Sequence, residues 1–158
     1  MNLLVVEDAL KYPNEYVSDI HLHGFEDLAD GEHVFRNIQS RGDNDDFAKL
    51  VSELFPDYGI AFNFVRKSPL NQEEPNFIHS DEMMGDITCI LYLNEVSPVE
   101  DGTTIYDDDK NPLVKVYSKY NRMVAFGSNM LHSRNLFENF GEGHNARLVQ
   151  VIFLKAKQ

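Results

Sequence analysis

From Tyr58 onward, apolar residues alternate in short runs separated by Pro, Gly, Asn and Asp. Period-two alternation is what a half-buried strand requires, and the punctuation supplies the turns between strands. Candidate strands lie at 58–66, 76–80, 86–94, 103–106, 113–117, 121–126, 132–137 and 146–154. So many short strands must close their apolar faces against one another, as a β-sandwich or barrel. The upstream region reads differently. Residues 2–6 form a short strand-like run, Pro13 and Asn14 suit the start of a short helix over 12–20, and Phe35 and Ile38 sit in a possible second strand. Asp43 to Pro56 has acidic caps, apolar positions at 47, 50, 51, 54 and 55, and a terminating proline, which predicts a helix. The expectation is an α+β, mainly β chain: one domain over 1–158, with helical support over about 8–56 and a β core over about 58–155.

Composition narrows the function classes. A chain that is 42% hydrophobic and 25% charged can bury a core and is not of disordered type. A single cysteine, Cys89, permits no internal disulfide and no thiolate metal cluster, so a cytoplasmic setting is expected. No apolar run approaches the roughly 20 residues that span a bilayer, and the acidic start does not resemble a signal peptide. The net charge of −12 repels a phosphate backbone and disfavours nucleic acid as a partner. Charge is uneven, however: residues 1–109 carry 24 acidic and 6 basic side chains, whereas residues 110–158 carry 2 acidic and 8 basic. A carboxylate ligand near the C-terminal strands suits that basic third.

Among six histidines, only His79 has a carboxylate two positions away in a strand-like context, Phe77-Ile78-His79-Ser80-Asp81. Residues i and i+2 of a strand share a face, so His79 and Asp81 can converge. His132 follows the strand-like Met123-Val124-Ala125-Phe126. Two imidazoles and one carboxylate form the facial ligand set of non-haem Fe(II), which leaves coordination positions open. An H-x-D motif alone is equally compatible with a simple His–Asp pair.

The surrounding segments add order. His79-Ser80-Asp81 is followed by Ile87-Thr88-Cys89-Ile90-Leu91-Tyr92-Leu93-Asn94 and by Asp101-Gly102-Thr103-Thr104-Ile105. Next come Asn121 to Ser128, His132-Ser133, and Arg147-Leu148-Val149-Gln150-Val151-Ile152-Phe153. This succession over about 60–155 resembles the 2-oxoglutarate and Fe(II)-dependent oxygenases, most closely the prolyl-4-hydroxylase-like branch. The resemblance implies a double-stranded β-helix (jelly roll) with supporting N-terminal helices, and Fe(II) held by His79, Asp81 and His132. It also implies 2-oxoglutarate as cosubstrate with O2, and release of succinate and CO2 as a protein side chain, prolyl included, or a small molecule is hydroxylated. Arg147 matches the cation for the distal 2-oxoglutarate carboxylate, since a guanidinium grips a carboxylate with two parallel bonds. The gap from His132 is longer than usual for the family, and Arg134 competes for the role. Tyr92 matches a tyrosine that hydrogen-bonds the same carboxylate, and Thr88, Ile90 and Tyr92 share a strand face.

Other features read as structural. Asp107-Asp108-Asp109 lacks the glycine and glutamate of a calcium loop and reads as a solvated turn. His21 and His23 read as surface residues, His144 as part of a hairpin tip, Cys89 as a small buried hydrophobe, and Arg66–Asn76 as a mobile substrate loop. The alternative functions are a non-catalytic jelly-roll module that binds metal or ligand, and a cupin-type metal-dependent hydrolase or isomerase.

Overall fold

Asp45 accepts a hydrogen bond from the Ala48 N–H at 2.8 Å and so caps the helix Asp46–Leu54 (α2), a contribution of about 1 kcal/mol. The apolar stripe this helix presents, Phe47, Ala48 and Val51, is fully buried. In the computed structural model, which describes residues 2–158, α2 and an earlier helix, Pro13–His23 (α1), cover one face of a large sheet. Pro13 opens α1 at a position where its missing N–H costs nothing.

The strands are β1 (Leu3–Val6), β2 (Glu26–Asp30), β3 (His33–Ser40), β4 (Tyr58–Ser68), β5 (Ile87–Tyr92), β6 (Gly102–Tyr106), β7 (Pro112–Tyr117), β8 (Met123–Gly127), β9 (Leu131–Arg134) and β10 (Arg147–Ala156). They form a seven-stranded sheet, β1-β8-β5-β10-β4-β3-β2, and a three-stranded sheet, β7-β6-β9, with antiparallel pairing throughout. This is the expected mainly β, jelly-roll architecture with two N-terminal helices.

Alternation along each strand sorts the core into two layers. Val65, Cys89, Leu91, Met123, Ala125, Leu148, Ile152 and Leu154 face the helices and pack on Tyr16, Ile20, Phe47 and Val51. Tyr92, Val124, Phe126 and Val149 face the other way and meet Ile105 and Val116 of the smaller sheet. Register fixes the inward rows: Arg66, Val149 and Tyr92 align across β4, β10 and β5, and Phe64, Val151 and Ile90 form the next row. Ser68 and Arg147 face each other one step beyond Arg66.

Two elements depart from the sequence expectation. The segment 76–80 is not a strand, because only His79 bridges to His132. Strand β2, Glu-Asp-Leu-Ala-Asp, has few strand-forming residues and exists by pairing with β3.

Candidate metal centre

His79 and His132 are brought together by a reciprocal backbone bridge: each N–H donates to the other's carbonyl, at 3.0 and 2.8 Å. Asp81 is placed by a turn, not by strand alternation: its N–H donates to the Ser128 carbonyl at 2.8 Å, and its carbonyl accepts from the Met84 N–H. The three side chains converge, with one ligand atom from each lying within 4.8 Å of the others.

The orientation of the rings decides what this cluster can hold. Nδ1 of His79 lies 2.8 Å from the Phe77 carbonyl, and Nδ1 of His132 lies 3.0 Å from the Met130 carbonyl. A carbonyl only accepts, so both Nδ1 atoms carry the proton and each neutral ring turns its Nε2 lone pair inward. Those Nε2 atoms face Asp81, at 3.4 Å from His79 and 2.9 Å from His132. Lone pairs facing a carboxylate require a cation between them, which is either a proton or a metal ion. In the metal-free cluster a proton serves. The hydrogen bond that His79 donates to Asp81, opposed by partial burial, holds His79 above its ordinary value. Burial alone would raise the Asp81 carboxyl, but hydrogen bonds from His132 and His79 outweigh it and hold the group well below the usual carboxylate range. Two imidazoles and one carboxylate, with the tautomers set by second contacts, fit a divalent transition metal.

Deeper between the sheets lie the cationic side chains. Arg147 is 5% exposed, and its Nε contacts Asp101 at 3.3 Å; its two Nη atoms have no partner among the described residues. Asp101 precedes Gly102, whose positive φ of 147° and close approach to the Val116 carbonyl leave no room for a Cβ. Tyr92 is buried and its hydroxyl lies 2.6 Å from Thr103 Oγ1. Burial pushes the phenol up to about 12, so it remains a neutral donor. Arg134, the rival to Arg147, projects from β9 opposite Thr103, where Nη1 donates to Glu74 at 2.9 Å and to Asn139 at 2.7 Å. Its Nε is buried without a partner, and burial lowers this guanidinium to about 10.

Some side chains were not read as part of the site. Arg66 belongs to β4 and not to a mobile loop, and it faces inward beside Val149. Its place in the alternation Phe62-Phe64-Arg66-Ser68 was the available signal. Glu74 and Gln72, taken as loop residues, are tied to Ser68, Arg134 and Asn37 by hydrogen bonds. His144 lies in a short 3-10 turn and stacks on His21 at 4.1 Å, remote from the triad in the contacts it makes. Asp107 accepts from the Asp109 and Asn111 N–H groups, as a solvated turn requires.

No protein-family model and no curated protein matches the chain. Solved structures do. The non-haem α-ketoglutarate-dependent epimerase SnoN from nogalamycin biosynthesis superposes with a TM-score of 0.66 at 15% identity, covering 98% of this chain and 76% of that one. A prolyl hydroxylase from Trichoplax adhaerens, solved with a peptide fragment of hypoxia inducible factor, gives 0.65 at 15% identity, covering 98% and 83%. A prolyl 4-hydroxylase from Phytophthora capsici gives 0.61 at 20% identity, covering 98% and 58%. The chain therefore has the fold of the 2-oxoglutarate–Fe(II) oxygenases.

Proposed function

We propose that this chain is an Fe(II)- and 2-oxoglutarate-dependent oxygenase. One observation carries the reading: His79, Asp81 and His132 offer converging ligand atoms within 4.8 Å, with both imidazole tautomers fixed for coordination. The structural neighbours support it, since SnoN has been solved with Fe3+ and α-ketoglutarate and HygX with iron. When bound, the iron and its cosubstrate supply the oxidative chemistry, with O2 as oxidant and succinate and CO2 as products.

The chain's own residues bind and orient. The triad would hold the metal through three donor atoms and leave its remaining positions to ligands. Arg147 offers two unpartnered Nη atoms to the distal carboxylate of 2-oxoglutarate, while Asp101 fixes the guanidinium by Nε. Arg134 is already committed to Glu74 and Asn139, which makes Arg147 the better cation for that carboxylate. Tyr92 reaches the same end by turning its hydroxyl from Thr103. Val149 and Phe126 line the interior and exclude water.

Hydroxylation of a protein side chain, prolyl included, or of a small molecule is the reaction this site best suits. Phe77 and Met83, on either side of the H-x-D motif, are 57% and 95% exposed and offer an apolar surface to such a substrate. The Trichoplax enzyme was solved with a peptide, and SnoN with a small-molecule ligand. A cytoplasmic setting without nucleic-acid or membrane partners suits the single cysteine and the charge of −12. Among the described residues, no helix is long and apolar enough to cross a membrane. The test is anaerobic titration of the metal-free protein with Fe(II) and then 2-oxoglutarate. A visible metal-to-ligand charge-transfer band is the expected result. Iron binding without that band would overturn the reading in favour of a metal-binding jelly-roll module.

A further inference from the structure

Arg66 stands apart from the other inward-facing arginines. Arg147 contacts Asp101, and Arg134 contacts Glu74 and Asn139, whereas Arg66 makes no hydrogen bond or ion pair among the described residues. It is nevertheless held in place. Its strand partner is Val149, whose other neighbour is Tyr92, so Arg66 and Tyr92 flank Val149 from opposite sides of one inward row. Neighbouring strands are about 4.8 Å apart, so the two side chains enclose a trough roughly 10 Å wide with Val149 as its floor. Arg147 lies one step along the strands at one end of this trough. The Arg66 guanidinium leans the other way, over the Phe64 ring at 5.9 Å from its centroid, towards the triad. Burial lowers its pKa, an effect opposed by the charges of Glu74 and Asp81 and reinforced by that of Arg147.

Charge gives this geometry a consequence. Arg147 and Arg134 each face a carboxylate and Asp81 faces two imidazoles, so the Arg66 charge has no ion-pair partner among the described residues. A divalent metal on the triad takes up the Asp81 charge, and the interior then carries two positive charges that a dianion neutralises.

We propose that Arg66 binds the carboxylate of the α-keto acid that lies nearest the metal, as a second cationic anchor independent of Arg147. The inference rests on the oxygenase reading and assigns to it a residue outside the triad and the distal pocket. An α-keto dicarboxylate then lies in the trough over Val149, with Arg147 at its far carboxylate, Tyr92 on one flank and Arg66 at the metal end.

The test is calorimetric titration of Zn(II)-loaded protein with 2-oxoglutarate, which needs no turnover. Arg66→Gln is expected to raise the dissociation constant tenfold or more, Arg66→Lys to recover part of that loss, and Lys67→Gln, on the opposite face of the same strand, to leave it unchanged. Zn(II) affinity is expected to stay the same or rise in Arg66→Gln, since a neighbouring cation has gone. At saturating 2-oxoglutarate with Fe(II) and no oxygen, Arg66→Gln is expected to move the charge-transfer maximum, while Arg147→Gln leaves it in place. Affinity within twofold of wild type in Arg66→Gln, or a lowered affinity with an unmoved maximum, overturns the proposal. Failure of the wild-type protein to bind 2-oxoglutarate at all overturns the oxygenase reading instead.

Discussion

The two faces of the seven-stranded sheet are made by alternate residues of the same strands, yet their polar groups are treated in opposite ways. On the helix side, Gln150 is fully buried and satisfied: it accepts from the Tyr16 hydroxyl at 2.6 Å and donates to Asn63 at 2.7 Å and Asp45 at 3.1 Å. Asp45 also caps α2 and pairs with Arg41 at 2.9 Å. On the inward side, among the described residues, the Arg66 side chain lacks a hydrogen-bond partner and Arg147 has free Nη atoms, and across from them Arg134 of the smaller sheet has a buried, unbonded Nε. A closed network costs little to bury, whereas unmet donors cost stability until a ligand meets them. The period of two in a strand thus separates a face whose buried polar groups are satisfied from one whose guanidinium donors are not.

The largest effect expected on the inward face is from Asp81→Ala, which removes one of three candidate ligands. Divalent metal binding by calorimetry and turnover should both be abolished, with a smaller loss of stability in the metal-free protein than Phe47→Ala causes. A large stability loss would break the division between faces. On the helix face, Phe47→Ala should cost about 3–5 kcal/mol by denaturant unfolding, because the ring is fully buried and its cavity closes poorly. Asp45→Ala comes next, at about 2 kcal/mol: it removes a cap and leaves Arg41 and Gln150 short of an acceptor. Arg147→Ala should mainly raise the 2-oxoglutarate requirement. If Arg134→Ala did so instead, the cation assignment would move to β9.

The smallest effect is the pH dependence of the metal-free protein. His79 has a raised folded value, so its contribution to stability is complete below the ordinary histidine value and is lost as pH rises through the raised one. Asp81 has a depressed value, so its contribution is present above the ordinary carboxylate value and is lost as pH falls through the depressed one. Thermal unfolding should therefore show the triad's contribution at its fullest between about pH 4 and 6.5. Asp81→Asn should flatten the profile across both limbs.

The strands from β4 to β10 were legible because their alternation survives in the sequence. Phe64, Arg66 and Ser68 do face one way while Val65 faces the other. Strand β2 was not legible, since Glu26, Asp27 and Asp30 favour solvent and only pairing with β3 makes them extended. His79, Asp81 and His132 were recognised as a set, but by a partly different route from the one the molecule uses: a single bridge at His79 and a turn at Asp81 replace a continuous strand. Arg66 stood where the expected strand 58–66 met the expected loop Arg66–Asn76, and Pro69 and Pro75 obscured the continuation of the alternation to Ser68. The contact between Arg147 and Asp101 joins residues far apart in sequence, and no local pattern announces it.

The placement of β10 bears on how the molecule is made. It lies between β4 and β5, and no other strand among the described residues joins β1-β8-β5 to β4-β3-β2. Its residues follow those of every other described strand, so any part of this sheet that forms before β10 pairs leaves the facing edges of β4 and β5 bare. Unpaired edges invite association with other chains, and closure across so long a separation is slow. The strand that seals the sheet also carries Arg147, so the buried contact between Arg147 and Asp101 forms only once β10 is in place.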